Sequence, residues 1–270
     1  MNNLNESTMN WKFLKKYLSF EFEKYGYKSH VQLPTFHDGW LYFGIRNNEN
    51  ISHIARIKND NFETFLSPNF DFDKKGIMPS CFCEDAFFYT GFANHKSNNS
   101  YYTQNICVLI EGSRYCVLTA DQDESFLVNS AFVMNDNSTY KMWYVSGYDW
   151  IGKKPLYRIN YAESKNKINW NIVKKDVVPK LNSFESPSRP FILKIKEKYE
   201  MYFSSMSLNS KINYNLQYAE SNDSMNWKRE EISIATEDNM LCYPFILNRN
   251  FMFINGSNYG EKTILLYERE

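Results

Sequence analysis

The feature that most constrains this sequence is an internal repeat. Residues 157–170 read YRINYAESKNKINW, and residues 214–227 read YNLQYAESNDSMNW. Each segment combines a strand-like run, a short polar turn and a second strand that begins near a tryptophan. Because similar segments recur at a spacing of 57 residues, one structural unit is expected to repeat along the chain.

A longer pattern recurs five times and defines that unit. Each copy has a small residue or proline, an apolar run, a polar turn and an aromatic-rich strand, which together predict a β-hairpin. The turns include His37-Asp38-Gly39 and Asn135-Asp136-Asn137. The copies are anchored at Pro34, Pro79, Ala131, Pro190 and Pro244. Two hairpins in each unit predict four antiparallel strands, so the chain is predicted to be an all-β, five-bladed β-propeller.

The two ends of the chain are predicted to meet in one blade. The third and fourth units finish near Trp170 and Trp227, but the fifth stops early. Its missing outer strand is found at the N-terminus, where Met9-Asn-Trp11-Lys12 repeats Met225-Asn-Trp227-Lys228. A strand over about residues 9–14 would complete the last blade and remove an exposed sheet edge. Residues 1–270 are accordingly interpreted as a single domain.

The composition excludes several classes of function. Lys and Arg total 31 and Asp and Glu total 31, whereas non-specific nucleic-acid binding requires a basic surface. The sequence has neither an apolar run long enough for a membrane helix nor a leader-like N-terminus. We therefore expect no nucleic-acid partner and no membrane insertion, and the oligomeric state stays open.

The cysteines and glycines further limit the chemistry. Five cysteines without a C-x-x-C pair are typical of reduced thiols, so a cytoplasmic location is expected. Cys81 and Cys83 would share one strand face, where core packing is favoured over a metal site. Because the ten glycines form neither a phosphate loop nor a dinucleotide fingerprint, no cofactor and no metal are expected.

Polar and aromatic residues precede the anchors of the predicted inner strands or follow the second strands of the blades. In a propeller these strands line a central channel, and the loops at one end form a funnel. Carboxylates, cations, amides and aromatic rings in one cavity suit a sugar, since rings contact its faces and polar groups bind its hydroxyls. The predicted substrate-binding residues are His30, Gln32, Arg46, Lys74, Trp150, Arg189, Tyr243, Asn255, Asn258 and Tyr259.

Several of these segments resemble a known group of enzymes. The motifs are His30-Val-Gln32-Leu-Pro34, Phe72-Asp73-Lys-Lys-Gly76, Glu185-Ser-Pro-Ser-Arg189-Pro190 and Tyr243-Pro244 followed by Asn255-Gly256. They are similar to motifs of the five-bladed propellers related to glycoside hydrolase families 43, 32 and 130. They look closer still to a branch found with bacterial surface-polysaccharide biosynthesis. The resemblance covers nearly the whole chain and implies a carbohydrate-active protein.

The resemblance also implies an acid–base mechanism. Hydrolases of this clan use an inward-facing base, a second carboxylate that adjusts pKa values and a glutamic acid that protonates the leaving oxygen. The first two usually precede an anchor proline. In this chain the corresponding positions hold Leu33, Met78 and Ser130, so the base is absent from its usual place.

Two carboxylates are nevertheless predicted to be catalytic by this resemblance. Glu185, in Glu-Ser-Pro, resembles the general acid, although Ser188 takes that position if Pro190 is the equivalent proline. Asp73 resembles an aspartate of the closer branch and is interpreted as base or electrostatic partner. Its neighbour, often a second acid in that branch, is Lys74.

Three functions follow from these patterns. The first is a glycosidase-like enzyme that uses Glu185 and Asp73. The second is phosphorolysis or transfer on a nucleotide- or phosphate-linked sugar, in which one acid suffices and cations hold phosphate oxygens. The cations considered for this role are Arg46, Arg189, Lys74 and His30. The third is a sugar-binding propeller without catalysis, and in all three the partner is a sugar or nucleotide sugar.

Overall fold

The protein folds as a ring of five β-sheets. A computed structural model describes residues 9–94, 102–209 and 214–270, in which the strands are numbered along the chain from β1 (Met9–Ser19). Short helical turns occur in three connections. They are a 3-10 turn at Phe22–Tyr25, α1 at Ala120–Asp123 and α2 at Ser257–Gly260. The prediction of an all-β, five-bladed propeller with four antiparallel strands per blade is confirmed.

Blades I to III are simple antiparallel meanders, in which the first strand lies innermost. Blade I consists of β2 (Ser29–His37), β3 (Trp40–Arg46), β4 (Ser52–Lys58) and β5 (Asn61–Leu66). Blade II consists of β6 (Gly76–Cys83), β7 (Ala86–Asn94), β8 (Tyr102–Ile110) and β9 (Ser113–Leu118). Blade III consists of β10 (Leu127–Asp136), β11 (Thr139–Ile151), β12 (Lys154–Ser164) and β13 (Trp170–Lys174).

Blade IV is also a simple antiparallel meander. It consists of β14 (Glu185–Ile195), β15 (Lys198–Ser207), β16 (Asn215–Ser221) and β17 (Lys228–Glu230).

Blade V is completed by both ends of the chain. Blade V consists of β19 (Cys242–Leu247), β20 (Phe251–Asn255), β21 (Thr263–Arg269) and β1. Strand β1 pairs antiparallel with β21, so the N-terminal strand closes the ring as predicted. It is longer than expected, and a fifth strand, β18 (Ile232–Ile234), pairs in parallel with its first three residues.

The hairpin turns follow the backbone preferences of short β-connections. Asp38 and Gly39 join β2 to β3 with φ values of 49° and 76°, which are typical of a type I′ turn. In blade III the left-handed residues are Asn137 and Ser138, with φ values of 52° and 63°. The predicted turn at Asn135-Asp136-Asn137 therefore begins too early, because Asp136 still pairs with Thr139.

The hydrophobic core lies between the blades rather than within them. Five separate clusters of buried side chains each join two neighbouring sheets, including the pair formed by blades V and I. Aromatic rings fill much of this space: Trp143 packs between blades III and IV, and Tyr202 packs between blades IV and V. A single blade cannot cover both of its faces, so each sheet depends on its neighbours for burial.

Each inner strand is interrupted by a bulge where it lines the channel. At this point two inner-strand residues face one residue of the second strand. The first of the two, here called the bulge residue, is Leu33, Pro79, Ser130, Arg189 and Tyr243 in blades I to V. The second is Pro34, Ser80, Ala131, Pro190 and Pro244. The anchor predicted at Pro79 is thus wrong by one residue.

Backbone groups at these bulges connect neighbouring blades. Leu33, Ser130, Arg189 and Tyr243 have φ values of 61°, 51°, 50° and 63°. In three blades the bulge N–H donates to a side-chain oxygen on the second strand of the preceding blade. These bonds join Leu33 to Asn255 (2.9 Å), Ser130 to Thr90 (3.1 Å) and Tyr243 to Ser204 (2.7 Å). Pro79 lacks an N–H and faces Gly44, which has no side chain; a Cβ there would lie 3.5 Å from Pro79 Cδ.

Replacing Trp11 with alanine tests the contribution of the closing strand. The indole is 2% exposed and meets the Tyr202 ring edge-on at 5.9 Å. We expect Trp11→Ala to lower the free energy of unfolding by about 3–5 kcal/mol, because it leaves a cavity between blades IV and V. The control Phe13→Ala, in the same strand but 43% exposed, should cost less than about 1 kcal/mol. Urea unfolding curves that coincide for the two variants would contradict this role of β1.

Candidate functional site

Arg189 crosses the central channel. It belongs to blade IV and is 4% exposed. Its guanidinium donates to the carbonyl oxygens of Pro79 and Ser80 at 2.8 Å each, and to Thr35 Oγ1 at 3.2 Å. These acceptors lie in blades II and I, so one side chain links three blades. Burial lowers the pKa of Arg189 to about 10, which still leaves the guanidinium charged at neutral pH.

Four tyrosines gather around the same end of the channel. The Tyr214 ring lies 6.0 Å from the rings of both Tyr243 and Tyr259. Tyr157 is close enough to influence the ionisation of Tyr214 and Tyr243. Burial, followed by the neighbouring Tyr259, raises the pKa of Tyr157 to about 12. Burial also raises the pKa values of Tyr214 and Tyr243, so these three hydroxyls are protonated at neutral pH and can both donate and accept hydrogen bonds.

Arg46 and His30 lie beside this tyrosine cluster. Arg46 is half-buried and donates from Nη1 to Asn50 Oδ1 at 3.2 Å. Its Nε is buried without a hydrogen-bond partner, and within residues 9–94, 102–209 and 214–270 it forms no ion pair with a carboxylate. Burial lowers the pKa of Arg46, and the nearby Tyr243 opposes this effect. Burial and the Arg46 charge lower the pKa of His30, whereas Glu261 raises it.

A cavity of about 350 Å³ opens next to Arg46, between blades I and II. Lys75 and Arg46 contribute the positive charge of its lining, and Glu49 contributes a carboxylate at its edge. Ile51, Met78 and Phe92 form apolar walls, and Asn50, Ser52 and Tyr102 add uncharged groups that can hydrogen-bond. The cavity therefore combines cations, hydrogen-bonding groups and an aromatic wall.

Asp73 lies in a closed network inside blade II. Its side chain is fully buried, and Oδ1 accepts the backbone N–H groups of Asn69 at 2.8 Å and Phe70 at 2.7 Å. Oδ2 accepts from Tyr89 at 3.0 Å and from the Arg114 guanidinium at 3.2 Å. Four donors from its own blade and the preceding connection thus occupy the carboxylate.

Glu185 has the same kind of surroundings in blade IV. It is 4% exposed, and Oε1 accepts from Ser205 at 2.6 Å and from Arg229 at 2.8 Å. Oε2 accepts the Leu181 N–H at 2.5 Å. Asp123 repeats the arrangement in blade III, where it accepts from side chains of β11 and β12. The three carboxylates hold the connection before an inner strand against the rest of its blade.

The other predicted residues separate into two groups. Gln32 and Asn255 lie buried at the channel, where Asn255 binds both Leu33 N and Val31 O and so joins blades V and I. Asn258 is exposed beside Tyr259 and donates to Glu261 at 3.1 Å. Two residues lie elsewhere: Lys74 pairs with exposed Asp71, and Trp150 stacks on Phe126 in blade III at 4.6 Å.

The structure therefore brings together His30, Arg46, Arg189, Tyr243 and Tyr259, but not the two predicted catalytic carboxylates. Asp73 binds Arg114 of blade II and Glu185 binds Arg229 of blade IV, and neither carboxylate binds Arg189. Sequence reasoning did not select Tyr157, Tyr214 or Lys75 for this site. The two tyrosines are the first residues of the two repeated segments. That matching position was the feature of the sequence that could have predicted their shared place in the site.

Comparison with known sequences gives partial matches. No protein-family model matches the chain. The uncharacterized protein Rv1502 of Mycobacterium tuberculosis is 26% identical over 161 residues, which cover 55% of this chain and 52% of that protein. The corresponding protein of a second M. tuberculosis strain, MT1551, gives the same values. The chain thus spans about half the length of the curated relatives that it matches.

Comparison with solved structures identifies the same fold in glycoside hydrolases. One glycoside hydrolase superimposes with a TM-score of 0.69 and 13% identity, covering 96% of this chain and 92% of its own. An endo-arabinase from Bacteroides thetaiotaomicron superimposes with a TM-score of 0.59 and 12% identity, covering 88% of this chain and 94% of its own. The Penicillium chrysogenum α-L-arabinanase complexed with arabinobiose superimposes with a TM-score of 0.58 and 10% identity, covering 95% of this chain and 98% of its own. At these identities the similarity confirms the shared propeller fold alone.

The described ranges contain no group of three or more His, Cys, Asp or Glu side chains placed to hold a metal ion. None of their helices has the length and apolar character needed to cross a bilayer.

Replacing Glu185 distinguishes a structural carboxylate from a catalytic one. Glu185→Gln leaves the buried Arg229 guanidinium without its counter-charge, so we expect a loss of about 3 kcal/mol in the free energy of unfolding. Glu220→Gln is the matched control, because its carboxylate is 38% exposed and 3.8 Å from Lys198; it should cost less than about 1 kcal/mol. If Glu185→Gln instead abolishes turnover of a substrate at unchanged stability, the structural interpretation is wrong.

Proposed function

We propose that the protein binds an anionic sugar, of the phosphate- or nucleotide-linked kind, at the tyrosine-lined end of the channel. The observation that carries this proposal is the half-buried Arg46, whose Nε has no partner and which forms no ion pair with a carboxylate among the described residues. A desolvated cation is costly unless an anion accompanies it. A bound phosphate supplies that anion, and Lys75 lines the same cavity.

The sugar part of the ligand is supported by the tyrosine cluster. The rings of Tyr157, Tyr214, Tyr243 and Tyr259 offer faces for a sugar ring, and their hydroxyls offer hydrogen bonds to sugar hydroxyls. The shared fold gives independent support, since the similar Penicillium arabinanase is complexed with arabinobiose. A role in bacterial surface-polysaccharide metabolism in the cytoplasm belongs to this proposal, and the five free cysteines are compatible with a reducing compartment.

The chemistry that follows binding is proposed to be transfer or phosphorolysis rather than hydrolysis by Glu185 and Asp73. A general acid must reach the leaving oxygen, but both carboxylates are buried and occupied by donors of their own blades. Their assignment as catalytic residues stays a prediction. Glycoside hydrolysis is the second candidate function, and the fold shared with glycoside hydrolases favours it.

A binding and turnover panel tests the proposal. Glucose 1-phosphate and UDP-glucose are compared with arabinobiose by calorimetry, and turnover is followed by proton and phosphorus NMR with and without inorganic phosphate. We expect the two anionic sugars to bind and the neutral disaccharide to bind more weakly. Hydrolysis of arabinobiose without binding of either anionic sugar would favour the second candidate. Binding without turnover of any probe would identify a non-catalytic sugar-binding propeller.

The Arg46 guanidinium is expected to contribute most to the affinity for the anion. Arg46→Ala should weaken binding of UDP-glucose by about tenfold to a hundredfold, the equivalent of losing a charged hydrogen bond. The matched control is Arg56→Ala in the same blade, where the guanidinium pairs with Glu63 at 2.5 Å and stacks on Trp40. Equal affinities for both variants would disprove the role of Arg46.

The affinity is also expected to depend on pH through His30. The pKa of His30 is low in the free protein, and a diphosphate beside it would raise that pKa. The complex then takes up a proton, so affinity for UDP-glucose should rise as the pH falls from about 7.5 to about 5.5. Calorimetry across this range measures the effect, and His30→Gln should remove it. A dependence that persists in the variant would assign the titration to another group.

A further inference from the structure

Two cysteines of blade II lie opposite each other on paired strands. Cys107 of β8 is in register with Cys116 of β9, and the two thiols are close enough for each to influence the ionisation of the other. Directly opposed residues of antiparallel strands place their Cβ atoms about 4.5–5.5 Å apart, close to the separation that a disulfide spans. The eight residues between the two positions carry no recognisable cysteine motif, but the hairpin pairs the two cysteines across neighbouring strands.

The two thiols differ in accessibility. Cys107 is fully buried, and its sulfur would lie 2.9 Å from a Cβ placed on Gly91. Cys116 is partly exposed, whereas the other four cysteines are buried. The hydrogen bond from Cys107 lowers the pKa of Cys116, and burial raises that of Cys107. A reagent in solution therefore meets Cys116 first, as the better thiolate of the pair.

The charged groups around the pair are few. Asp73 faces both sulfurs and disfavours a thiolate, and Arg114 partly offsets this charge because it binds the Asp73 carboxylate at 3.2 Å. Asp73 is held by four donors, so its position is independent of the state of the thiols.

We propose that Cys107 and Cys116 form a reversible thiol–disulfide modification site. The Cys116 thiolate attacks a low-molecular-weight disulfide such as oxidised glutathione, forming a mixed disulfide and releasing one glutathione thiolate. Cys107 then gives up its proton and attacks the Cys116 sulfur, which releases the second glutathione. The protein loses two protons and two electrons, and the glutathione disulfide gains them to become two glutathione thiols. This proposal is independent of the sugar ligand.

Mass spectrometry of the full-length chain tests the proposal. The reduced protein is desalted, incubated with oxidised glutathione, alkylated and digested with trypsin, which cleaves after Arg114 and so separates the two cysteines. We expect the intact mass to fall by two hydrogens, two alkylation sites to disappear, and the peptides containing Cys107 and Cys116 to remain linked. A reductant should separate them again.

Three variants establish the order of attack. Cys107→Ser should retain one glutathione on Cys116, Cys116→Ser should retain none, and Cys83→Ser should behave like the unmodified chain, because Cys83 is buried and burial raises its pKa to about 11. The proposal is overturned if the folded wild-type chain keeps five alkylatable thiols, or if the linked peptides contain other cysteines. It is also overturned if Cys116→Ser reacts as fast as the wild type. The wild-type result stands even if a variant fails to fold.

Discussion

The whole ring depends on the bulges at which the inner strands break their pairing. The freed N–H of one blade is taken by a side-chain oxygen of the preceding blade, as between Leu33 and Asn255 or Tyr243 and Ser204. Since the backbone makes this bond, the side chain of the bulge residue is left free to vary. A channel lined by Leu33, Ser130 and Tyr243 can therefore share a fold with enzymes that carry other residues there. Architecture and chemistry are thus separable at these positions.

The number of blades and the closure of the ring were predictable because both rest on repetition. Trp11 occupies the same position in its sequence motif as Trp227, and both indoles are buried between neighbouring blades. The short repeated motif therefore predicted where the N-terminal strand lies in the fold. The anchor at Ser80 was not predictable, because a bulge adds one residue without leaving a signal in the apolar pattern. The short parallel strand β18 was missed for a similar reason: three residues carry too little periodicity.

The candidate site was only partly predictable, because residue type does not reveal which donors a carboxylate meets. Asp73 and Glu185 matched a catalytic pattern, yet Arg114 and Arg229 bind them from the outermost strands of their blades. Those arginines lie more than forty residues further along the chain in each case. Tyr243 was selected because it precedes the anchor of a predicted inner strand, and Arg46 because it follows the predicted second strand of a blade. Both criteria relied on topology rather than on chemistry.

Arg189 has a consequence for how molecules reach the tyrosine cluster. By binding Pro79, Ser80 and Thr35 it fills the channel at the level of the bulges, and the rings of Phe132, Phe191 and Phe245 follow in contact with one another beyond it. The propeller therefore offers a blind-ended cup instead of a tunnel. A ligand of the kind proposed above would enter and leave through one mouth, and an elongated one could insert a terminus but could not thread its middle through.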